Sequence, residues 1–159
     1  MAKILLVEDD NNLREIYEAR LQAEGYSIVS ALDGEAALVI AKQEKPDLII
    51  SDVMMPRISG FEMLDILRNT EGFKEVKVIM LTALGLNNTL NTGDYATIYA
   101  PCLILLGDRD KMVTLDETVA VYKQLPNAQL CLLPNTQHPL EQADIGLLSF
   151  FIKRHLNTA

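Results

Sequence analysis

Ile4-Leu-Leu-Val-Glu-Asp-Asp10 is the stretch of sequence that decides the fold. Its four consecutive apolar residues do not alternate with polar ones, which predicts a strand that is covered on both faces. The acidic residues that follow predict that this strand ends at a polar rim. Strands covered on both faces occur in parallel sheets flanked by helices, so the stretch indicates an α/β fold.

Strand and helix patterns then alternate as far as Thr82. From Asn12 to Glu24 apolar residues recur at three- and four-residue spacing before Gly25, which predicts an amphipathic helix. The later predicted elements are a strand at 27–31, a helix at 35–43, a strand at 48–51, a loop with Pro56 and Gly60, a helix at 61–69 and a strand at 77–82. This alternation predicts a parallel sheet with helices on both faces.

The second half of the chain resumes the alternation after a turn-rich stretch, residues 85–93. Thr114-Leu-Asp-Glu117 has the spacing of a helix-capping box. The predicted elements are a crossover helix within 86–99, a strand at 102–106, a helix from the capping box to about residue 124, a strand at 129–133 and a helix at about 140–155. We therefore predict two further strands and one domain over residues 1–159.

Three carboxylates follow strands that are neighbours in the predicted sheet. Glu8 and Asp9 end the first strand and Asp52 ends the third, so they should converge at one rim. A hard divalent cation with oxygen ligands would relieve their repulsion, and we expect Mg²⁺. Without the cation, the proximity of the carboxylates should raise the proton affinity of at least one of them. The alternative for Asp9 and Asp52 is that they are solvated loop acids at strand ends.

Residues 1–84 resemble a response-regulator receiver domain. The motifs are Ile4-Leu-Leu-Val-Glu-Asp-Asp10, then Ser51-Asp-Val-Met-Met-Pro56 with Gly60, then Val78-Ile-Met-Leu-Thr-Ala83, in this order. The resemblance implies Asp52 as the phospho-acceptor. It further implies a metal site of Glu8, Asp9, Asp52 and the Met54 backbone carbonyl, and a hydroxyl contact to the phosphoryl group from Thr82.

The receiver pattern breaks after Ala83. A receiver has a fifth strand ending in a lysine that pairs with the phosphoryl group, whereas here residues 103–106 run into Gly107-Asp-Arg-Asp110. Losing such a charge-assisted bond costs about 1.5–3 kcal/mol in the phosphorylated state. Arg109 or Lys111 could replace it only by chance.

Residues from about 89 to 159 resemble the C-terminal part of an α/β-hydrolase. Its penultimate strand and acid turn are similar to residues 100–113, from Ala100-Pro101 to Val113. Its last strand and histidine loop are similar to residues 125–139, from Leu125-Pro to His138-Pro139. The resemblance implies Asp110 as a vestigial catalytic acid and His138 as a vestigial base. The alternative is that Asp110 is a turn acid and His138 a loop histidine. No Gly-x-Ser-x-Gly nucleophile motif exists in the chain.

The two resemblances together indicate a chimera, engineered or recombined, joined within residues 83–90. We expect a flavodoxin-like, doubly wound sheet of about six strands in the order 2-1-3-4-5-6, with segments 1–84 and 85–159 in one domain. The main functional interpretation is a fold chimera that has no complete active site and is not an enzyme. The alternative is a working receiver phosphorylated on Asp52 by a histidine kinase or a small phosphodonor. A weak esterase using His138 and Asp110 is a third possibility.

Composition narrows the class of partners. The formal charge is −8 and the basic residues are scattered, so we expect no nucleic-acid binding. No apolar run approaches the roughly 20 residues needed to cross a bilayer, and no signal peptide is evident. We therefore expect a cytoplasmic monomer without membrane contact. Cys102 and Cys131 lie in apolar stretches, which predicts buried, reduced thiols.

Overall fold

A computed structural model describes residues 1–81, 101–109, 114–137 and 145–157 of the chain. Strands and helices alternate along these ranges. In chain order they are β1 (Lys3–Val7), α1 (Asn11–Ala23), β2 (Ser27–Ala31), α2 (Gly34–Glu44), β3 (Leu48–Asp52), α3 (Gly60–Arg68), β4 (Lys77–Leu81), β5 (Cys102–Gly107), α4 (Leu115–Tyr122), β6 (Ala128–Leu133) and α5 (Ile145–Asn157).

The six strands form one parallel sheet in the order β2-β1-β3-β4-β5-β6. This confirms the predicted flavodoxin-like α/β fold and its strand order. β5 pairs with β4 from Val78 opposite Cys102 to Leu81 opposite Leu105. The strands predicted in the two halves of the chain therefore belong to the same sheet.

The sheet separates two apolar cores, and each core crosses the junction between β4 and β5. Cys102, Ile104 and Leu106 of β5 join the core that includes buried residues of α2 and α3. Leu103 and Leu105 join the opposite core, with buried residues of α1 and α5. Because successive side chains of a strand point to opposite faces, β5 contributes to both cores at once.

Helix starts along the first half are fixed by side-chain caps. Asp10 accepts hydrogen bonds from the amides of Asn12 and Leu13 at the start of α1. Ser59 and Glu62 form a reciprocal capping box on α3. The sequence predictions placed a capping box only at residues 114–117, so the one at Ser59 and Glu62 was not predicted.

Several boundaries differ from the predictions. α4 ends at Tyr122 rather than near residue 124, and α5 ends at Asn157 rather than near residue 155. The predicted start of the last helix, at about residue 140, lies outside the described residues. The predicted crossover helix within 86–99 also lies outside them. Cys102 and Cys131 are free thiols, but only Cys102 is fully buried, because Cys131 lies on β6 at the border of the described sheet.

Lys77 connects the start of β4 to the end of α5. Its Nζ donates a 2.7 Å hydrogen bond to the carbonyl oxygen of Leu156. A cation at a helix C-terminus is stabilised by the carbonyl groups that lack helical partners. The contact therefore joins the two halves of the chain at the edge opposite the strand ends.

No helix in the described ranges combines the length and apolar character that spanning a membrane requires.

We predict that Ile104→Ala lowers the free energy of unfolding by about 2–5 kcal/mol, because its fully buried side chain lies in a core shared with α2 and α3. Urea unfolding followed by circular dichroism measures this loss, and the transition should remain single. Leu115→Ala is the control, since its side chain is exposed and the change should stay within about 0.5 kcal/mol. Two separate transitions would contradict a core that spans both halves.

Candidate functional site

Three carboxylates meet where β1 and β3 end. Val7 lies opposite Ser51 in the sheet, so the next residue of each strand leads into the same rim. One carboxylate oxygen from each of Glu8, Asp9 and Asp52 lies within 4.8 Å of the others. The structure therefore brings together the three acids that the sequence predicted to converge.

The three acids differ in exposure. Glu8 is buried, Asp9 is exposed and Asp52 is intermediate. Burial, followed by the negative charge of Asp52, raises the pKa of Glu8 from its ordinary value of 4.5 to about 8. In the absence of a cation, Glu8 is thus mostly protonated at neutral pH.

Glu8 is held in place through its backbone as well as its side chain. Its amide donates to the carbonyl of Ala31, and its carbonyl accepts a 2.9 Å hydrogen bond from the Arg14 guanidinium. The Asp10 amide donates to Oε1 of Glu8 at 3.2 Å. Arg14 was not identified from the sequence, because its role depends on the way α1 returns over the end of β1.

Asp52 begins a loop that folds back tightly on the end of β3. Its Oδ1 accepts a 3.2 Å hydrogen bond from the Met54 amide. The Gly60 amide donates to the carbonyl of Val53 and so closes the loop. A Cβ on Gly60 would lie 2.3 Å from the Asp52 carbonyl oxygen, so a larger residue would displace the backbone of Asp52.

The donor set suits a hard divalent cation. All three side chains of the cluster offer carboxylate oxygens, which Mg²⁺ prefers over nitrogen or sulfur. Burial first, and then the negative charge of Asp52, raise the pKa of Glu8, so the protein alone disfavours three ionised carboxylates at this place. The site therefore fits a cation chemically.

Three residues predicted to act at the strand ends, Thr82, Asp110 and His138, lie outside the described residues. Their roles stay predictions, as does that of the Met54 carbonyl. Met54 lies two residues after Asp52, beyond the end of β3, and is exposed.

The end of β5 is closed by the turn that follows β6. A Cβ on Gly107 would lie 2.3 Å from the carbonyl oxygen of Thr136. The Thr136 amide donates to Oδ1 of Asp108, and the Arg109 amide donates back to the Thr136 carbonyl. No lysine or arginine occurs between Lys77 and Arg109. β5 thus ends without the lysine that the receiver pattern places there.

Part of the chain matches known proteins in sequence. The response regulator receiver domain family matches residues 4–94. "Probable transcriptional regulator ycf27" of Cyanophora paradoxa is 46% identical over 83 residues, which are 52% of this chain and 34% of that protein. "DNA-binding dual master transcriptional regulator RpaA" of Synechocystis is 38% identical over 85 residues, which are 54% of this chain and 35% of that protein. The matched segment spans about a third of the length of these curated relatives.

Solved structures resemble the chain over a longer range. The chemotaxis response regulator CheY4 of Vibrio cholerae is 30% identical, with a TM-score of 0.56 over 77% of this chain and 94% of that one. The receiver domain of the sensor histidine kinase PA1611 from Pseudomonas aeruginosa, solved with a magnesium ion in its active-site cleft, is 22% identical. Its TM-score is 0.62 over 99% of this chain and 98% of that one, which shows a shared fold. Because the family match at residues 4–94 covers more than half of the sequence, the chain belongs to the response regulator receiver domain family.

Proposed function

We propose that this chain is a phosphorelay receiver that takes a phosphoryl group onto a carboxylate oxygen of Asp52. The observation that carries the proposal is the acid cluster, in which oxygens of Glu8, Asp9 and Asp52 lie within 4.8 Å of one another. The family match over residues 4–94 supports the same function. This alternative is therefore better supported than the main interpretation from sequence, a fold chimera without a complete active site.

In the proposed reaction, an Asp52 oxygen attacks the phosphorus atom of the donor and forms a new O–P bond. The bond from phosphorus to the donor's leaving atom breaks, and its electron pair departs with the donor. The Met54 amide, bonded to Oδ1 of Asp52, restricts rotation of the attacking carboxylate. Such orientation lowers the entropic part of the barrier. From the family resemblance, the Thr82 hydroxyl would contact the transferred group.

The proposed cation is Mg²⁺, held by Glu8, Asp9, Asp52 and the backbone carbonyl of Met54. When bound, it neutralises charge on the phosphoryl oxygens. Glu8 has to release its proton before it can bind a cation, because only the carboxylate form is a ligand. Asp9 is exposed and offers its carboxylate from the solvent side of the cluster.

The missing lysine affects the proposed phosphorylated state. Gly107 offers no side chain at the end of β5, and Thr136 occupies the adjacent space. Loss of one charge-assisted hydrogen bond costs about 1.5–3 kcal/mol. We infer that phosphorylation of Asp52 is correspondingly less favourable than in a receiver that has the lysine.

The partner that we propose is a histidine kinase, whose phosphohistidine would donate the phosphoryl group. The name of RpaA includes DNA binding, but the segment that this chain matches covers only 35% of that protein. The formal charge of −8 does not favour a nucleic-acid partner for this chain.

The chimeric origin of the C-terminal segment remains a proposal. The family match ends at residue 94, well before β5 and β6. The receiver fold of PA1611 nevertheless matches over 99% of the chain, so a different source for the segment from about residue 89 onward rests on its sequence motifs alone. The chain lacks a Gly-x-Ser-x-Gly motif, so Asp110 and His138 have no nucleophile of the hydrolase type to activate.

We predict that incubation with acetyl phosphate and Mg²⁺ adds one phosphoryl group to the wild-type chain, and that Asp52→Asn receives none. An amide at this position cannot act as the nucleophile. Intact-mass analysis measures the adduct. Asp47→Asn is the matched control, because Asp47 is an exposed acid immediately before the first residue of β3, at the end opposite Asp52. The Asp47→Asn variant should be phosphorylated on Asp52 as the wild type is. Absence of an adduct on the wild type would refute the proposed function.

We also predict that Mg²⁺ affinity rises with pH, by up to about tenfold per pH unit below 8, and levels off above it. The reason is that the raised pKa of Glu8, about 8, makes a proton compete with the cation at lower pH. Isothermal titration calorimetry between pH 6 and pH 9 measures the profile. Glu8→Gln should bind more weakly and lose most of this dependence. A wild-type affinity independent of pH would show that Glu8 is not a ligand.

A further inference from the structure

The loop that carries Met54 is anchored to the beginning of α2 by an ion pair. Nη1 of Arg57 lies 3.4 Å from Oδ2 of Asp33 and 2.9 Å from Oε2 of Glu35. The Arg57 side chain is 61% exposed, whereas that of Asp33 is only 7% exposed. A pair with one buried partner is less screened by solvent than one in which both groups are exposed.

Asp33 serves the helix and the loop at the same time. Its Oδ1 accepts a 2.8 Å hydrogen bond from the Ala36 amide and so caps α2, while its Oδ2 faces Arg57. The buried carboxylate is thus stabilised by the helix N-terminus on one side and by the guanidinium on the other. The cap fixes Asp33 as a rigid point to which the loop can attach.

The anchored segment is a strained turn. Arg57 has a φ of 69°, and the Ile58 amide donates a 2.9 Å hydrogen bond to the carbonyl of Pro56. A bond from residue i+2 to residue i across a positive φ is the pattern of a γ-turn that is rare and strained. Strain of this kind persists only where surrounding contacts hold it.

A second contact beside Arg57 supports the same placement. Ile58 packs so closely on Gly34 that a Cβ on Gly34 would lie 3.1 Å from the Ile58 Cβ. The loop therefore meets α2 at two successive residues. The two residues that separate Met54 from Arg57, Met55 and Pro56, cannot move far once both Asp52 and the turn are fixed.

We propose that Arg57 is a positioning residue for the cation site, because its ion pair with Asp33 holds the strained turn and with it the Met54 carbonyl. This inference rests on the proposed function. Arg57 acts through the loop and does not contact the acids of the cluster. It therefore contributes geometry rather than charge to the site.

The sign of the effect distinguishes positioning from simple electrostatics. Removal of a positive charge makes the protein more negative, so Coulomb attraction alone would tighten Mg²⁺ binding. Loss of a positioning contact would weaken it, because the Met54 carbonyl would no longer be held in place. The two explanations thus predict opposite changes in affinity.

The test compares Mg²⁺ affinities by calorimetry at constant pH and ionic strength. Arg57→Gln should weaken binding about tenfold, the lower end of the range for groups that orient metal ligands. Lys153→Gln is the matched control. Lys153 lies on α5, and its Nζ is 4.0 Å from Oε2 of Glu24 at the end of α1. This variant removes the same charge and should leave the Mg²⁺ affinity unchanged or slightly tighter. Arg57→Lys should restore most of the affinity.

A second measurement is independent of the cation. In Mg²⁺-free protein, hydrogen exchange at the Ile58 and Gly60 amides should be several-fold faster in Arg57→Gln, since both amides are bonded within the loop. Exchange at the Glu8 amide, which bonds to Ala31 across the end of β1, should not change.

The outcomes separate this inference from the proposed function. Tighter or equal Mg²⁺ binding in Arg57→Gln, with a wild type that binds Mg²⁺, overturns the positioning role alone. Weaker binding without faster exchange at Ile58 and Gly60 also overturns it, because the effect would not pass through the loop. A wild type that binds no Mg²⁺ overturns both. Weaker binding with faster exchange, and rescue by lysine, supports the inference.

Discussion

β4 and β5 are paired over four residues, from Val78 with Cys102 to Leu81 with Leu105. Without β5, the apolar side chains of β4 would lie at an open edge on both faces of the sheet. With it, the two cores continue from the receiver-like strands into the C-terminal strands. A slip of β5 by one residue would send each of its side chains to the opposite core and so change the packing on both faces of the sheet. The positions at which β5 and, through it, β6 end depend on this pairing.

The acid cluster is a direct result of that sheet. Neighbouring parallel strands end at one rim, and the register of β1 with β3 places Glu8 beside Asp52. Such an arrangement is costly for the folded protein by itself, because one carboxyl group is buried among other negative charges. The fold tolerates the cost because the raised pKa of Glu8 keeps that carboxyl group mostly protonated at neutral pH.

Much of the fold follows from local patterns in the sequence. The uninterrupted apolar run of β1 predicts a strand covered on both faces, and strand order then predicts which acids converge. The different burial of Glu8 and Asp9 could not be predicted, because adjacent residues at a strand end separate only when the surrounding loops are placed. The strained turn at Arg57 has no sequence signal, since arginine has no special preference for positive φ. The capping box at Ser59 has a sequence signal, the Ser-x-x-Glu spacing of residues 59–62. Gly60 within this spacing favoured the prediction of a loop instead.

Gly107 has a wider consequence for how such a protein can change. The carbonyl of Thr136 fills the space that any side chain at that position would need, so the last residue of β5 is committed to the turn that follows β6. A basic residue introduced there would collide with main-chain atoms and could not be accommodated by a change of rotamer. The turn that follows β6 and a lysine side chain at the end of β5 therefore cannot both occupy this space. In a receiver built in this way, a positive charge near the phosphoryl group would have to come from another residue of the chain.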